Sequence, residues 1–182
     1  ARELSHRIKN VFSVVNGLAS ASARDSEARA FAAAFRQRIG ALARAHDYVL
    51  PGSVSARNAG ESTLKGMLEV LLRPYDADGT RVRITGDDLP LGQSAATTLA
   101  LILHEHATNA IKYGALSTPE GRVHVDCRAD GASFEITWEE RGGPATSGPP
   151  AETGFGTMMV SSGIDSLGGI MTPEWAASGL RV

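Results

Sequence analysis

Two apolar seams at the start of the sequence constrain its fold most strongly. The first consists of Leu4, Ile8, Val11, Val15 and Leu18, and the second, between about Ser26 and Leu50, of Ala28, Ala32, Phe35, Ile39, Leu42, His46 and Val49. Steps of three and four residues predict two helices that each bury one stripe. The turn SARDSEA between them offers Asp25 or Ser26 as an N-cap. We therefore predict an antiparallel helical hairpin whose remaining apolar edge a second copy covers, giving a four-helix bundle.

Two histidines occupy different positions on this hairpin. At roughly 100° per residue, His6 lies about 160 to 200° from Leu4 and Ile8, so we expect its imidazole to face water. An exposed histidine on a helix usually has no function, and this stretch alone leaves a functional and a structural interpretation equally open. His46 falls on the second seam, where we favour a packed, structural residue.

Composition narrows the class of protein. With 182 residues, 42% of them hydrophobic, the chain can fill one core and a small second unit. Its 18 basic and 20 acidic side chains leave no electrostatic surface typical of nucleic-acid binding. A single cysteine, Cys127, excludes an internal disulfide and indicates a reducing, cytoplasmic location, with the thiol as a small buried hydrophobe in a strand. The sequence contains no apolar run long enough to span a membrane and no signal peptide, so we expect no membrane contact. The absence of an initiator Met is typical of a piece of a longer protein.

The periodicity changes at PGSVSARNAGES, residues 51–62. Its Pro, Gly and Ser residues predict a linker over 52–62, between a hairpin domain over 1–51 and a second domain over 63–182. In the second domain we predict helices near Thr63–Arg73, Ser94–Tyr113 and Gly156–Leu167, and strands at Arg81–Thr85, Arg122–Arg128, Ser133–Trp138 and toward the end. Helices mixed with largely antiparallel strands indicate an α+β sandwich, with one sheet and its helices on one face.

The long predicted helix contains LILHEHATNAIKYGALS, residues 101–117. A core face within about 80° is formed by Leu99, Leu103, Ala107 and Ala110. Glu105, Asn109 and Lys112 lie roughly 150° away from it. Asn109 could offer an amide oxygen to Mg²⁺, Lys112 could contact a phosphate, and Glu105 could order water or accept a proton. By itself, however, the triplet is more typical of a solvated, salt-bridged surface.

Two further segments contain candidate ligand-binding residues. In SFEITWEERGGP, alternation places Phe134, Ile136, Trp138 and Glu140 on one side of a strand. A buried carboxylate needs a donor, which the amino group of adenine could supply, and Gly142 and Gly143 would let the backbone approach the ring; Trp138 we expect to fill core in either case. In TSGPPAETGFGTMMV, Gly154 and Gly156 begin a predicted helix whose free amides can contact phosphate, although a lone GxG is by default a plain loop.

Four motifs in this order, LSHRIKN, HEHATNAIKYGALS, WEERGGP and GFGT, resemble the core of a bacterial sensor histidine kinase of the HWE type. The group is named for a His in the nucleotide-binding helix and a Trp-x-Glu, which here are His104 and Trp138 with Glu140. The resemblance covers nearly the whole chain. It implies a Bergerat fold of the GHKL class in the second domain, with ATP and Mg²⁺ as cofactors.

The resemblance also implies a role for each matched residue. His6 matches the phosphoacceptor; Glu105, Asn109, Lys112 and Tyr113 match the family's N-box, with Glu105 as a catalytic carboxylate and Asn109 as the Mg²⁺ ligand. The residues expected around ATP are His104, Asn109, Lys112, Tyr113, Trp138, Glu140, Gly142, Gly154 and Gly156. The implied reaction is autophosphorylation of His6, followed by transfer to an aspartate in the receiver domain of a response regulator. An exposed imidazole, with an ordinary pKa near 6.5, is largely in its neutral, nucleophilic form at neutral pH.

Three positions depart from the family pattern. His106 stands where the family often has Leu, Met158 where a basic residue commonly follows the glycine box, and Arg7 where an acid would follow the phosphoacceptor. Two alternatives therefore stay open. One is a serine kinase of the anti-sigma type with the same fold, against which the hairpin argues. The other is a catalytically weak or inactive nucleotide-binding scaffold that docks a response regulator.

Overall fold

The computed structural model describes residues 2–22, 25–50, 62–131, 133–145, 148, 154–176 and 178–182, with residues 2–7, 9, 22 and 155 described by their backbone alone. These residues form five helices, α1 (Arg2–Ser22), α2 (Ser26–Val49), α3 (Leu64–Leu72), α4 (Gln93–Lys112) and α5 (Phe155–Ser166). They also form five strands, β1 (Val82–Gly86), β2 (Arg122–Asp130), β3 (Ser133–Arg141), β4 (Glu174–Ala176) and β5 (Gly179–Arg181). Two short 3-10 turns follow α3 and α4, at Arg73–Tyr75 and Ala115–Ser117.

Helices α1 and α2 are the two that the apolar seams predict. Asp25 is the N-cap of α2, because its Oδ1 accepts a hydrogen bond from the Ala28 amide at 2.7 Å. His46 is buried as expected, with Nδ1 4.0 Å from Asp47 Oδ1. The seam of α1 is only partly covered, since Val11 is 59% exposed and Leu18 is 63% exposed. The second copy that would cover it, and with it the four-helix bundle, stays a prediction.

Helix α2 packs onto the C-terminal part of the chain. Ala41, Ala45 and Tyr48 belong to the same buried cluster as the apolar residues of α3, α4 and the sheet. Ser62 Oγ donates to the Tyr48 carbonyl at 3.2 Å, which joins the end of α2 to the residues before α3. The predicted linker, apart from Ser62, lies outside the described residues. Hairpin and C-terminal unit therefore share one core in the described part of the chain.

The sheet has the order β1-β2-β3-β5-β4. Strands β1 and β2 are parallel and the other neighbours are antiparallel, so the sheet is mixed but largely antiparallel, as expected. Val123, Val125 and Cys127 of β2 are buried and alternate with more exposed residues on the opposite face. Burial raises the pKa of the Cys127 thiol to about 11, consistent with a packed hydrophobe. The helices thus cover one face.

A buried carboxylate fixes the start of this sheet. Asp76 follows the first 3-10 turn and accepts hydrogen bonds from the backbone amides of Thr80 at 3.2 Å, Arg81 at 3.0 Å and Val82 at 2.8 Å. These bonds close the turn that leads into β1 and compensate the burial of Asp76.

None of the described helices combines the length and the apolar composition that a membrane span requires.

Candidate functional site

Helix α4 supplies the centre of the site. Its predicted core face is confirmed, since Leu99, Leu103, Ala107 and Ala110 are all buried. The polar triplet on the other side is divided. Asn109 and Lys112 are exposed, whereas Glu105 is only 4% exposed. The expectation of one uniform polar face is therefore incomplete, because Glu105 lies under other parts of the chain.

Glu105 is covered by the hairpin. Arg38 of α2 donates from Nε to Glu105 Oε1 at 2.7 Å and from Nη2 to Oε2 at 2.9 Å. The two side chains keep only 15% and 6% of their exposure, so this is a largely desolvated, bidentate ion pair. Sequence reasoning missed Arg38 because no motif contains it and its partner lies 67 residues away.

The glycine box, formed by Gly154 and Gly156, lies next to the carboxylate of Glu105. Gly154 is the N-cap of α5, and Gly156 lies in its first turn. A Cβ at Gly156 would collide with Glu105 Oε2, so a larger residue there would displace the carboxylate. Met158, which departs from the family pattern, is 58% exposed. The N-box and the glycine box, far apart in sequence, therefore come together at Glu105.

The structure corrects the argument made for Glu140. Glu140 is buried, as the strand pattern predicts, but its donors come from the chain itself. Trp138 Nε1 donates to Oε1 at 3.0 Å, and the Ala115 amide donates to Oε2 at 2.7 Å. A ligand amine is thus not needed to compensate the buried charge. Each carboxylate oxygen keeps a second lone pair, so an adenine contact stays a prediction. Trp138 fills core as expected, with 2% exposure.

The glycines after β3 make close contacts within the chain, and their expected approach to an adenine ring stays a prediction. Gly142 has a φ of +73° and packs against the backbone of Glu120 and Gly121. A Cβ at Gly143 would lie 2.7 Å from Ala115 Cα. In this structure the close approach that requires glycine is therefore to the segment after α4, which carries the amide that binds Glu140.

Two histidines of α4 have specific partners. His104 Nδ1 is hydrogen-bonded to the hydroxyl of Tyr75, on the side of α4 that faces α2, and not beside Glu140. Burial is the main cause that lowers the pKa of His104. His106 contacts Trp138 in a tilted arrangement with ring centroids 5.7 Å apart, and burial lowers the pKa of His106 to about 4. Both imidazoles are therefore neutral at pH 7. Tyr75 carries no sequence signal that could have identified it.

Three further predicted residues are Tyr113, His6 and Asn109. Tyr113 ends α4 and is 73% exposed. His6 lies in α1, but its imidazole, and hence its predicted exposure, is outside the described residues. Among the described residues no group of three or more His, Cys, Asp or Glu side chains could hold a metal ion. An Asn109 amide that acts together with phosphate oxygens does not require such a group, so the exposed Asn109 fits the expected Mg²⁺.

Comparison with known families gives a consistent result. Residues 3–88 match the family model described as HWE histidine kinase. The whole chain is 35% identical over 185 residues to a protein named blue-light-activated histidine kinase 1 from Erythrobacter litoralis, and covers 51% of it. Over 99% of the chain it is also 35% identical to a blue-light-activated histidine kinase from Rhizobium johnstonii, and covers 50% of that protein. The chain thus spans about half the length of these curated relatives.

Solved structures share the fold. The histidine kinase domain of the blue-light activated histidine kinase EL346 from Erythrobacter litoralis superposes with a TM-score of 0.62 at 14% identity, covering 98% of this chain and 91% of that one. A structure of the EL346 kinase gives a TM-score of 0.71 at 16% identity, covering 99% of this chain and 56% of that one. At these identities the likeness concerns the fold alone.

Proposed function

We propose, from the premise that the chain belongs to the HWE histidine kinase family, that it uses ATP to phosphorylate His6 and passes the phosphoryl group to an aspartate in the receiver domain of a response regulator. One observation carries the proposal. Glu105 of the N-box lies against Gly156 of the glycine box, and Glu140 is hydrogen-bonded to Ala115, directly after the N-box helix. The three motifs expected around a nucleotide are thus grouped about one helix.

The proposed step requires positioning more than covalent chemistry. The bond between the γ-phosphorus and the bridging oxygen to the β-phosphate breaks, a bond between phosphorus and a ring nitrogen of neutral His6 forms, and ADP leaves with the electron pair. The attacking ring nitrogen carries no proton, and the proton on the other ring nitrogen of the phosphorylated imidazole passes to water. Lys112 and Asn109, both exposed on α4, would face the phosphates, and Glu140 would face the base. Mg²⁺, held by the Asn109 amide and phosphate oxygens, would neutralise phosphate charge.

Autophosphorylation with γ-labelled ATP and Mg²⁺ tests this proposal on the full 182-residue chain. The unaltered chain should take up label that acid releases and alkali retains. His6→Gln should abolish the label, and Asn109→Ala should reduce it strongly. His124→Gln, which changes a half-buried histidine on the outer face of the sheet, is the matched control and should keep the label. Label that persists in His6→Gln would overturn the assignment of the acceptor.

Dimerisation through the hairpin is part of the same proposal. It is supported by Val11, Val14, Leu18 and Phe31, which expose 59%, 61%, 63% and 61% of their surface. Large apolar side chains grouped on one hairpin favour association, because their burial removes apolar area from water. Light scattering after size exclusion should give twice the chain mass, and Leu18→Glu should give the monomer. A monomer for the unaltered chain would refute dimerisation without affecting phosphotransfer.

The scaffold alternative also has an observation in its favour. Glu105, the expected catalytic carboxylate, accepts hydrogen bonds from Arg38 on both of its side-chain oxygens in this structure. A chain locked in this arrangement would bind nucleotide and dock a response regulator without transferring phosphate. Saturable ATP binding without label on any histidine would support the scaffold over the kinase.

A further inference from the structure

A cleft of about 640 Å³ lies between helices α2 and α4. Its walls come from α2, from the 3-10 turn after α3, and from α4. We name it the α2–α4 cleft, and the residues on its walls include Arg36, Gly40, Arg44, Tyr75, His104 and Lys112. The volume lies within the range of small-molecule sites, which is about 300 to 1,000 Å³.

The charge of the cleft is unbalanced. Arg36, Arg44 and Lys112 line it, and the described lining residues include no carboxylate. The acid next to the cleft, Glu105, is already paired with Arg38 on both oxygens. Like charges in a partly desolvated space repel each other and raise the local potential. The walls therefore carry three positive charges that no acidic side chain among the lining residues compensates.

His104 lies on the wall of this cleft. Burial is the main cause of its lowered pKa; the nearby Glu105 carboxylate opposes this shift, and the positive charges of Arg38, Arg44 and Lys112 act in the same direction as burial. His104 is therefore neutral, and its Nδ1 is occupied by the hydroxyl of Tyr75. The cleft thus holds neutral hydrogen-bonding groups beside its cations and no anion.

Arg44 has a donor that needs an acceptor. Its Nε is buried and has no hydrogen-bond partner among the described residues. The guanidinium lies over Gly40, where a Cβ would be 3.5 Å from Nη1. A buried charged donor without an acceptor is costly, typically by more than a neutral one. Arg36, by contrast, donates from Nη1 to Ser20 Oγ at 2.7 Å and lies at the more exposed end.

We propose that the α2–α4 cleft is a binding site for a phosphate-bearing anion, with Arg44 and Lys112 as its principal charge partners. A diphosphate or triphosphate group carries enough negative charge to compensate three cations, whereas a single carboxylate would leave two uncompensated. The planar fork of Arg44 suits phosphate oxygens. Because its partners come from both α2 and α4, the anion stabilises the docked hairpin.

The phosphate-bearing anion can come from two sources. Lys112 also borders the predicted nucleotide site, so the anion is either the phosphate tail of a bound nucleotide or a separate phosphorylated small molecule. If it is the nucleotide tail, pyrophosphate competes with ATP, and Arg44→Gln weakens both. If it is a separate ligand, pyrophosphate and ATP bind together, and Arg44→Gln weakens pyrophosphate alone.

Calorimetric titration of the full chain with pyrophosphate tests the site. We expect saturable binding, and a loss of affinity of about tenfold or more in Arg44→Gln and in Lys112→Gln, as for removal of a charge-assisted contact. Arg29→Gln removes an exposed arginine from the same helix outside the cleft and should bind as the unaltered chain does. Arg44→Lys, which keeps the charge, should retain part of the affinity and guards against a folding defect in Arg44→Gln.

Two results of these titrations would contradict the proposed anion site. Absence of saturable pyrophosphate binding overturns the proposal, and so does an Arg44→Gln affinity equal to that of Arg29→Gln when circular dichroism shows both variants folded. Glu140→Gln, which alters the predicted base contact, should leave pyrophosphate binding intact. The inference therefore stands or falls separately from the proposed kinase activity.

Discussion

Replacing Arg38 by methionine removes the guanidinium that pairs with Glu105 and keeps much of the aliphatic length. The pair is bidentate and largely desolvated, with exposures of 15% and 6%. Glu105 would be left buried between α4 and Gly156 without its charged partner. Breaking a buried ion pair from one side costs about 3 to 5 kcal/mol, and the remaining exposure of Arg38 places this pair near 3 kcal/mol.

Urea denaturation followed by circular dichroism measures this loss. Arg38→Met should lower the free energy of unfolding by about 3 kcal/mol. The double variant Arg38→Met/Glu105→Met should recover most of it, since two apolar side chains replace two charges, and the cycle then gives the coupling energy. Arg141→Met is the matched control. It breaks the pair with Glu139 in which Arg141 is 71% exposed, so we expect a loss below about 1 kcal/mol.

A specific result would refute the reasoning. If Arg38→Met costs no more than Arg141→Met, then α2 is not docked on α4 through a desolvated ion pair in solution. If the double variant is less stable than Arg38→Met alone, the carboxylate of Glu105 has favourable partners besides Arg38.

Three further predictions follow from single contacts. Asp76→Ala removes the acceptor of three backbone amides, so urea denaturation should show a loss of about 3 kcal/mol, and a loss below about 1 kcal/mol would contradict this. Because burial lowers the pKa of His106 to about 4 while an unfolded histidine titrates near 6.5, the unfolded state binds more protons between these values. Stability should therefore fall as the pH drops from about 6.5 to about 4, by up to about 3 kcal/mol, and His106→Leu should flatten that decline; an unchanged profile would contradict the burial of its imidazole. A Cβ at Gly114 would overlap Glu140 Oε2, so Gly114→Ala should displace the carboxylate and weaken ATP binding about tenfold by calorimetry, and an unchanged affinity would argue against Glu140 as the base contact.

Much of the secondary structure follows from local periodicity. Helix α4, predicted over Ser94–Tyr113, extends over Gln93–Lys112, and α2, predicted over Ser26–Leu50, extends over Ser26–Val49. The strands are less well bounded. The predicted ends at Arg128 and Trp138 fall short, because β2 and β3 pair in register as far as Asp130 and Arg141. The end of a strand depends on backbone hydrogen bonds to the neighbouring strand, and the alternation of side chains within one strand does not predict where that pairing stops.

The sequence by itself determined the two helices of the hairpin and the core face of α4, because these depend on short spacings within one segment, and four ordered motifs along the chain gave the resemblance to the family. Only the tertiary structure decided which groups compensate the buried charges. Glu105 pairs with the guanidinium of Arg38, 67 residues away, and Glu140 accepts hydrogen bonds from Trp138 Nε1 and the Ala115 amide. A buried carboxylate requires a donor, but any nearby donor satisfies it, and proximity between distant segments exists only once the core has packed.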